Sequence, residues 1–208
     1  MSAVGVSLGA MSTAPTDVPR TPTSVALLRG INVGGHHAVA MTDLAACFRD
    51  AGYGGVRTVL ASGNVLLRAD PPSGAGRGGP EREAAIEGML ADRYGFAVPT
   101  LVRSRDELEA TVAAAPPDHG SAALRSEVFF LKHPLTAGEV LELMPELREG
   151  VDAVAPGPGA VYFSRVAAQA RRTRITRHMG LPVFERMTVR SWRTTTRLLA
   201  LFDEALPA

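Results

Sequence analysis

The chain has 208 residues, 46% of them hydrophobic, and a formal net charge of +1. That apolar content suffices for a sizeable core and excludes wholesale disorder, while no apolar run approaches the ~18 residues of a membrane-spanning helix. The single cysteine, Cys47, excludes an intrachain disulfide and fits a reducing, cytoplasmic setting.

Residues 1–23 are rich in Ser, Thr, Pro, Ala and Gly, with no basic residue before Arg20. They lack the basic start and compact apolar stretch of a secretory signal and are expected to form a disordered tail, with Met11 as an alternative start. Val25 to Leu28 predicts a strand that leaves through Arg29 and Gly30. Met41 to Ala51 has helical spacing and stops at Gly52, which makes Cys47 a packed thiol rather than a nucleophile. Val56 to Leu60 and Val65 to Leu67 flank the turn ASGN, a hairpin. Asp70 to Pro80 (DPPSGAGRGGP) predicts a flexible loop, because so much Pro and Gly supports neither helix nor strand. Glu81 to Tyr94 predicts a helix with Ala85, Ile86, Met89 and Leu90 inward, and Phe96 to Val102 a strand. Ser104 and Glu107 are spaced as a capping box opening a helix to about Ala114.

Ala115 to Ser121 breaks the pattern, and the same order then repeats. The second series is a strand (Glu127 to Leu131), a helix (Thr136 to Arg148) and two short strands (Val151 to Val154, Ala160 to Ser164). An Arg-rich helix (Val166 to Met179), a strand (Phe184 to Val189) and a helix (Trp192 to Ala205) follow. Each half therefore reads βαββαβ plus a helix. The expected fold is α+β, with two tandem ferredoxin-like plaits at residues 24–115 and 121–208.

Charge is distributed unevenly. From Arg165 to Arg197, nine arginines stand against one acid, Glu185. Such asymmetry points to an anionic ligand or nucleic acid, or else to a solvated helix face. Lys132 is the one lysine beside 21 arginines, which suggests a biased codon supply rather than 21 selected guanidiniums.

Three stretches are more specific than periodicity explains: Ala26 to Gly35 (ALLRGINVGG), Arg57 to Val65 (RTVLASGNV) and Thr188 to Thr194 (TVRSWRT). In order and spacing, from Ser24 to about Leu201, they resemble the uncharacterised bacterial family known as domain of unknown function 1697. The RGINVGG and SGNV patterns of that family stand here unchanged. Where the family usually has Arg-Asn-Trp-Asn-Thr, this chain has Arg190, Ser191, Trp192, Arg193 and Thr194. The resemblance implies a two-part ferredoxin-like α+β structure and no particular activity.

The Gly-rich exit from the first strand can form a nest of N–H groups for a phosphate or carboxylate, clamped by Arg29. Alternatively, Gly30, Gly34 and Gly35 hold positive-φ turn positions and Asn32 caps locally. It is neither a phosphate loop of the Walker type nor a dinucleotide fingerprint. Ser62 lacks a visible general base, so Ser62 and Asn64 are candidate polar contacts beside the Arg29 loop. His36 and His37 are adjacent, with no further ligands converging, so no metal site is expected. Trp192 is either a core anchor or an aromatic platform flanked by Arg190, Arg193 and Arg197.

The leading functional expectation is binding of an anionic ligand, either nucleic acid or a phosphorylated small molecule, without a cofactor. The candidate contacts are Arg29, Gly30, Asn32, Gly34, Gly35, Ser62, Asn64, Arg190 and Trp192. One alternative is an enzyme acting on a small phosphorylated or carboxylated substrate, with Arg29, Asn64 and Arg190 orienting the anion. Another is a protein-interaction module pairing through exposed sheet edges.

Overall fold

The computed structural model describes residues 21–34, 37–68, 79–144, 146–175 and 179–205. In chain order these form β1 (Ser24–Leu28), α1 (Met41–Asp50), β2 (Arg57–Val59), β3 (Asn64–Leu67), α2 (Gly79–Tyr94), β4 (Thr100–Ser104) and α3 (Arg105–Ala113). The chain continues with β5 (Leu124–Leu131), α4 (Ala137–Leu143), β6 (Asp152–Gly157) and β7 (Ala160–Val166). Two 3-10 segments (Ala167–Arg172 and Pro182–Arg186), β8 (Met187–Ser191), α5 (Trp192–Ala200) and a last 3-10 turn (Leu201–Asp203) complete it. The strands make two four-stranded antiparallel sheets, ordered β2-β3-β1-β4 and β6-β7-β5-β8.

Alternation along each strand decides the layering, because successive side chains point to opposite sheet faces. In the first sheet Ala26, Leu28, Val65, Leu67 and Val102 face Leu44 and Phe48 of α1 and Ile86 and Leu90 of α2. Their neighbours Val25, Leu27, Leu66 and Leu101 point the other way and pack against Val128, Phe130, Ala160 and Tyr162 of the second sheet. Leu108 of α3 and Leu198 of α5 join this middle layer. The far face of the second sheet, with Phe129, Leu131, Val161 and Phe163, is covered by Val140 of α4 and by Ile175 and Phe184. The two sheets thus lie face to face between outer layers of helix and turn. Burying one side chain of Leu or Phe size contributes about 1.5–3 kcal/mol, which makes the middle layer a strong bond between the sheets.

Several boundaries differ from the sequence expectation, each for a local reason. Order begins before Ser24, since Pro22 is buried and the Thr23 N–H bonds to Leu67 O at 2.8 Å. Residues 1–20 and 69–78, including most of the expected tail and loop, lie outside the described residues. The helix expected from Glu81 starts at Gly79, and Ala85 is exposed rather than inward. β4 begins at Thr100 instead of Phe96, because Pro99 has no N–H to give to a ladder. α4 ends at Leu143, four residues after its Thr136–Glu139 capping box. Met144 precedes Pro145 in sequence and is accordingly extended, with ψ 126°.

The Arg-rich stretch after β7 is not one long helix. Ala167–Arg172 is 3-10 with a break at Gln169, and tertiary partners take its backbone bonds. Arg148 Nη1 donates to Arg172 O (3.1 Å), and Asp152 Oδ2 accepts from the Arg174 N–H (2.9 Å). Phe184 sits in the second 3-10 segment, so the last strand starts three residues later, at Met187.

Candidate functional site

The three sequence motifs meet in space. Arg190 lies opposite Val128 in the β5–β8 ladder, so its side chain points into the layer between the sheets. Nε–H donates to Asn64 Oδ1 (2.6 Å). Nη2 donates to Leu28 O (2.7 Å), Ser62 O (3.0 Å) and Gly63 O (3.1 Å), and Nη1 to Thr188 Oγ1 and Val189 O (2.9 Å each). All the donor nitrogens of the guanidinium are engaged, and its acceptors are neutral. Burial pushes the group down to about 10, so it remains a cation at neutral pH held by carbonyl and amide dipoles. Asn64 is turned by its own bonds to Val59 O (2.7 Å) and Ser62 Oγ (3.2 Å). Gly63 is required for two reasons: its φ is +75°, and a Cβ there would stand 2.9 Å from Leu28 Cβ and 2.8 Å from Ile31 Cδ1.

The Gly-rich loop is braced against the same turn. Asn32, at φ +56°, donates from Nδ2 to Val39 O and Ala61 O (2.9 Å each) and accepts from the Val39 N–H (2.8 Å). Gly30 and Gly34 take positive φ in open space, and Arg29 Nη1 reaches Glu185 O at 3.3 Å. Gly35 and His36 lie outside the described residues. Ser62, Asn64, Arg190 and the start of the Arg29 loop therefore form one cluster whose polar side chains bond to one another. Arg190, 6% exposed, has no donor left for a ligand. Trp192 is not part of it.

A counterpart of this clamp went unseen in the sequence. Arg103 of β4, 2% exposed, reaches the other way, donating from Nη2 to Leu131 O and Gly159 O. The correspondence is position for position. Leu28 and Leu131 end the central strands, and Gly63 and Gly159 each precede the strand that pairs with them. Leu28 N–H bonds to Gly63 O (2.8 Å) as Leu131 N–H does to Gly159 O (3.0 Å). The two arginines sit in the same tripeptide, Val102-Arg103-Ser104 and Val189-Arg190-Ser191, and both serines cap the next helix. Each sheet thus lends one arginine to the carbonyls of the other. The difference is a carboxylate: Glu83, fully buried, lies 3.5 Å from Arg103 Nη1 and accepts from the Val102 N–H (3.0 Å).

The open basic surface is elsewhere. Where α2 covers the first sheet, the described residues of the second have the two 3-10 segments, and a hollow of about 670 Å³ remains beside them. Phe129, Phe184 and Val189 are at its floor, and Arg125, Arg165, Arg171 and Arg172 line it with one acid, Glu127. A second hollow, about 590 Å³, shares Arg125, Glu127 and Arg165 and is lined further by Trp192, Arg193 and Thr196. Glu127 Oε2 pairs with Arg165 Nη1 at 3.1 Å, whereas Arg125, Arg171 and Arg193 have no ion-pair partner among the described residues. Arg125 escapes a charge count because it lies outside the Arg-rich window. The alternation Arg125, Glu127, Phe129 on one strand was the available signal.

Trp192 is backed by His119, ring centroids 4.9 Å apart at 87°, and His119 also meets Tyr162 edge-on at 5.3 Å. His119 is buried with Nε2 unpaired among the described residues, and burial lowers its pKa from the ordinary 6.5. The folded state then resists a proton that the unfolded chain accepts, so stability is complete above pH 6.5 and declines as the pH falls below it. His119→Gln is expected to flatten the fall in the urea midpoint between pH 7 and 5; an unchanged slope would assign the fall to carboxylates instead.

Among the described residues no group of three His, Cys, Asp or Glu could hold a metal ion, and no helix is long and apolar enough to cross a membrane. A family model described as "Protein of unknown function (DUF1697)" matches residues 22–162, which takes in the first two motifs and stops short of the third. No curated protein matches. A solved structure, that of the conserved bacterial protein SP0830 from Streptococcus pneumoniae, aligns with TM-score 0.74 at 19% identity, over 88% of this chain and 99% of that one. At that identity the likeness concerns the fold.

Proposed function

We propose that this chain, which belongs to the DUF1697 family of proteins of unknown function, binds a small phosphorylated anion in the arginine-lined cleft of its second sheet. The element order and the strand orders β2-β3-β1-β4 and β6-β7-β5-β8 favour reading the chain as two ferredoxin-like plaits, residues 24–115 and 121–208. On that reading the cleft is the place where the second plait replaces a long helix by 3-10 turns. The observation that carries the proposal is a concave, partly apolar hollow rimmed by four arginines and one already paired carboxylate. Such a lining suits a ligand with an apolar or ring-shaped body and a phosphate. Nucleic acid laid across an open sheet is disfavoured, because the faces such binders use cover each other here.

The test is calorimetric titration with pyrophosphate. Arg125→Ala combined with Arg171→Ala is expected to weaken binding about tenfold or more, since each removes a charge-assisted contact. The control Arg57→Ala, which breaks only the surface pair with Glu204, should leave binding unchanged. Equal binding by the double variant and the parent would overturn the assignment.

A further inference from the structure

Building on that reading, we infer that the anion is a free nucleotide, its base against Trp192 and its phosphate held by Arg125 and Arg193. The two hollows share Arg125, Glu127 and Arg165, so one ligand can occupy both with its charge at their junction. The second hollow has what a base needs. Trp192 is half-buried and fixed from behind: beside His119, Gly120 lies so close that a Cβ there would be 2.1 Å from the indole Cδ1 and 2.3 Å from Nε1. Gly120 holds φ +89° and gives its N–H to Ser126 Oγ (2.8 Å), which keeps the backbone against the ring.

A tryptophan serving only as core filler ordinarily finds a partner for its indole N–H. Here the half-buried indole packs on the middle layer with one side and lines the hollow with the other, and Nε1–H has no acceptor among the described residues. Arg193, exposed on the same rim, also lacks a partner among the described residues. The occupant must therefore offer a flat ring to the indole, an acceptor to Nε1–H, and phosphate oxygens to Arg125 and Arg193. The single carboxylate, Glu127, suits a ribose hydroxyl or an exocyclic amine, both donors. A sugar phosphate offers the indole no aromatic ring, and a bare base leaves the arginines unused. A nucleotide engages both.

Trp192 is the chain's one tryptophan, so its emission reports this hollow alone. Titration with AMP is expected to change the emission saturably, and adenosine to do so with affinity about tenfold weaker. Pyrophosphate should compete with AMP without itself changing the emission. Trp192→Leu is expected to weaken AMP about tenfold by calorimetry while leaving pyrophosphate unchanged, stacking being what the variant loses. Should Trp192→Leu fold poorly, Arg193→Ala on the exposed rim tests the phosphate end instead and is expected to weaken AMP but not adenosine. Pyrophosphate binding as tightly as AMP, with an unresponsive tryptophan, would overturn the nucleotide and leave the anion cleft standing. A deoxythymidine oligonucleotide binding over a hundredfold more tightly than AMP, with steep salt dependence, would overturn the free nucleotide in favour of single strands. No binding of any probe would sink both readings.

Discussion

Arg190→Met is expected to lower the unfolding free energy by about 2–4 kcal/mol, with the urea midpoint falling and the m value unchanged. Methionine keeps the length and apolar stem of the side chain, so the loss is that of the guanidinium's bonds rather than of volume. Those bonds reach Leu28 O, Ser62 O, Gly63 O and the Asn64 side chain, all on the opposite sheet. Gly63 O keeps the Leu28 N–H, but buried Leu28 O is left, among the described residues, with only Thr188 Oγ1 at 3.5 Å, and a buried acceptor so poorly paired costs about 1–3 kcal/mol. Arg190→Lys is not expected to rescue the loss, because a single ammonium with three donors cannot span acceptors arranged around a planar fork. If Arg190 were instead an anion-orienting residue, the same variant would keep its stability and lose affinity for pyrophosphate. The two outcomes separate a brace from a ligand contact.

That contrast shows where the sequence was legible. Three motifs whose contacts span up to 162 positions were each marked by chemistry that periodicity does not require, and they meet around Arg190. Their roles were not legible, because a guanidinium that binds phosphate and one that gathers carbonyls have the same letters around them. The deciding fact is that Arg190 faces Val128's side of the sheet, which is covered by the other sheet. Stacking of two sheets is a long-range event no local pattern records. The cleft was illegible for a related reason. The sequence after β7 has helical spacing, but Asp152 and Arg148 of a neighbouring strand and loop take the backbone bonds that a helix would have made. The cap at Ser104 was legible, since Ser104 and Glu107 close both bonds of their capping box, whereas the equal Thr136–Glu139 box went unseen in the sequence. The Val-Arg-Ser tripeptide repeated at Val102 and Val189 was too short to stand out by itself. It gains meaning only because both copies clamp equivalent carbonyls.

The mirrored arginine should be the more damaging one to remove. Arg103→Met is expected to cost about 3–5 kcal/mol, because it strips the cation from a carboxylate that has no solvent contact. Glu83 is 0% exposed, its Oε2 has no partner among the described residues, and its remaining bonds are the Val102 N–H at 3.0 Å and His133 Nδ1 at 3.4 Å. For Arg103 itself, burial outweighs Glu83 and holds the guanidinium below its usual range, so desolvation is the larger effect on the cation. The pair is consequently a poor source of net stability while both partners are present and a large cost when one is missing. The double variant Glu83→Gln, Arg103→Met should recover part of the deficit, since a neutral amide can still accept from Val102 N–H without a buried charge. Arg190 has no such carboxylate, and no second substitution should rescue Arg190→Met in the same way. Urea titrations of the three Arg103 and Glu83 variants give the coupling as a double-mutant cycle. A coupling near zero would mean that Arg103 acts only on Leu131 O and Gly159 O, making the two clamps alike in energy as well as in geometry.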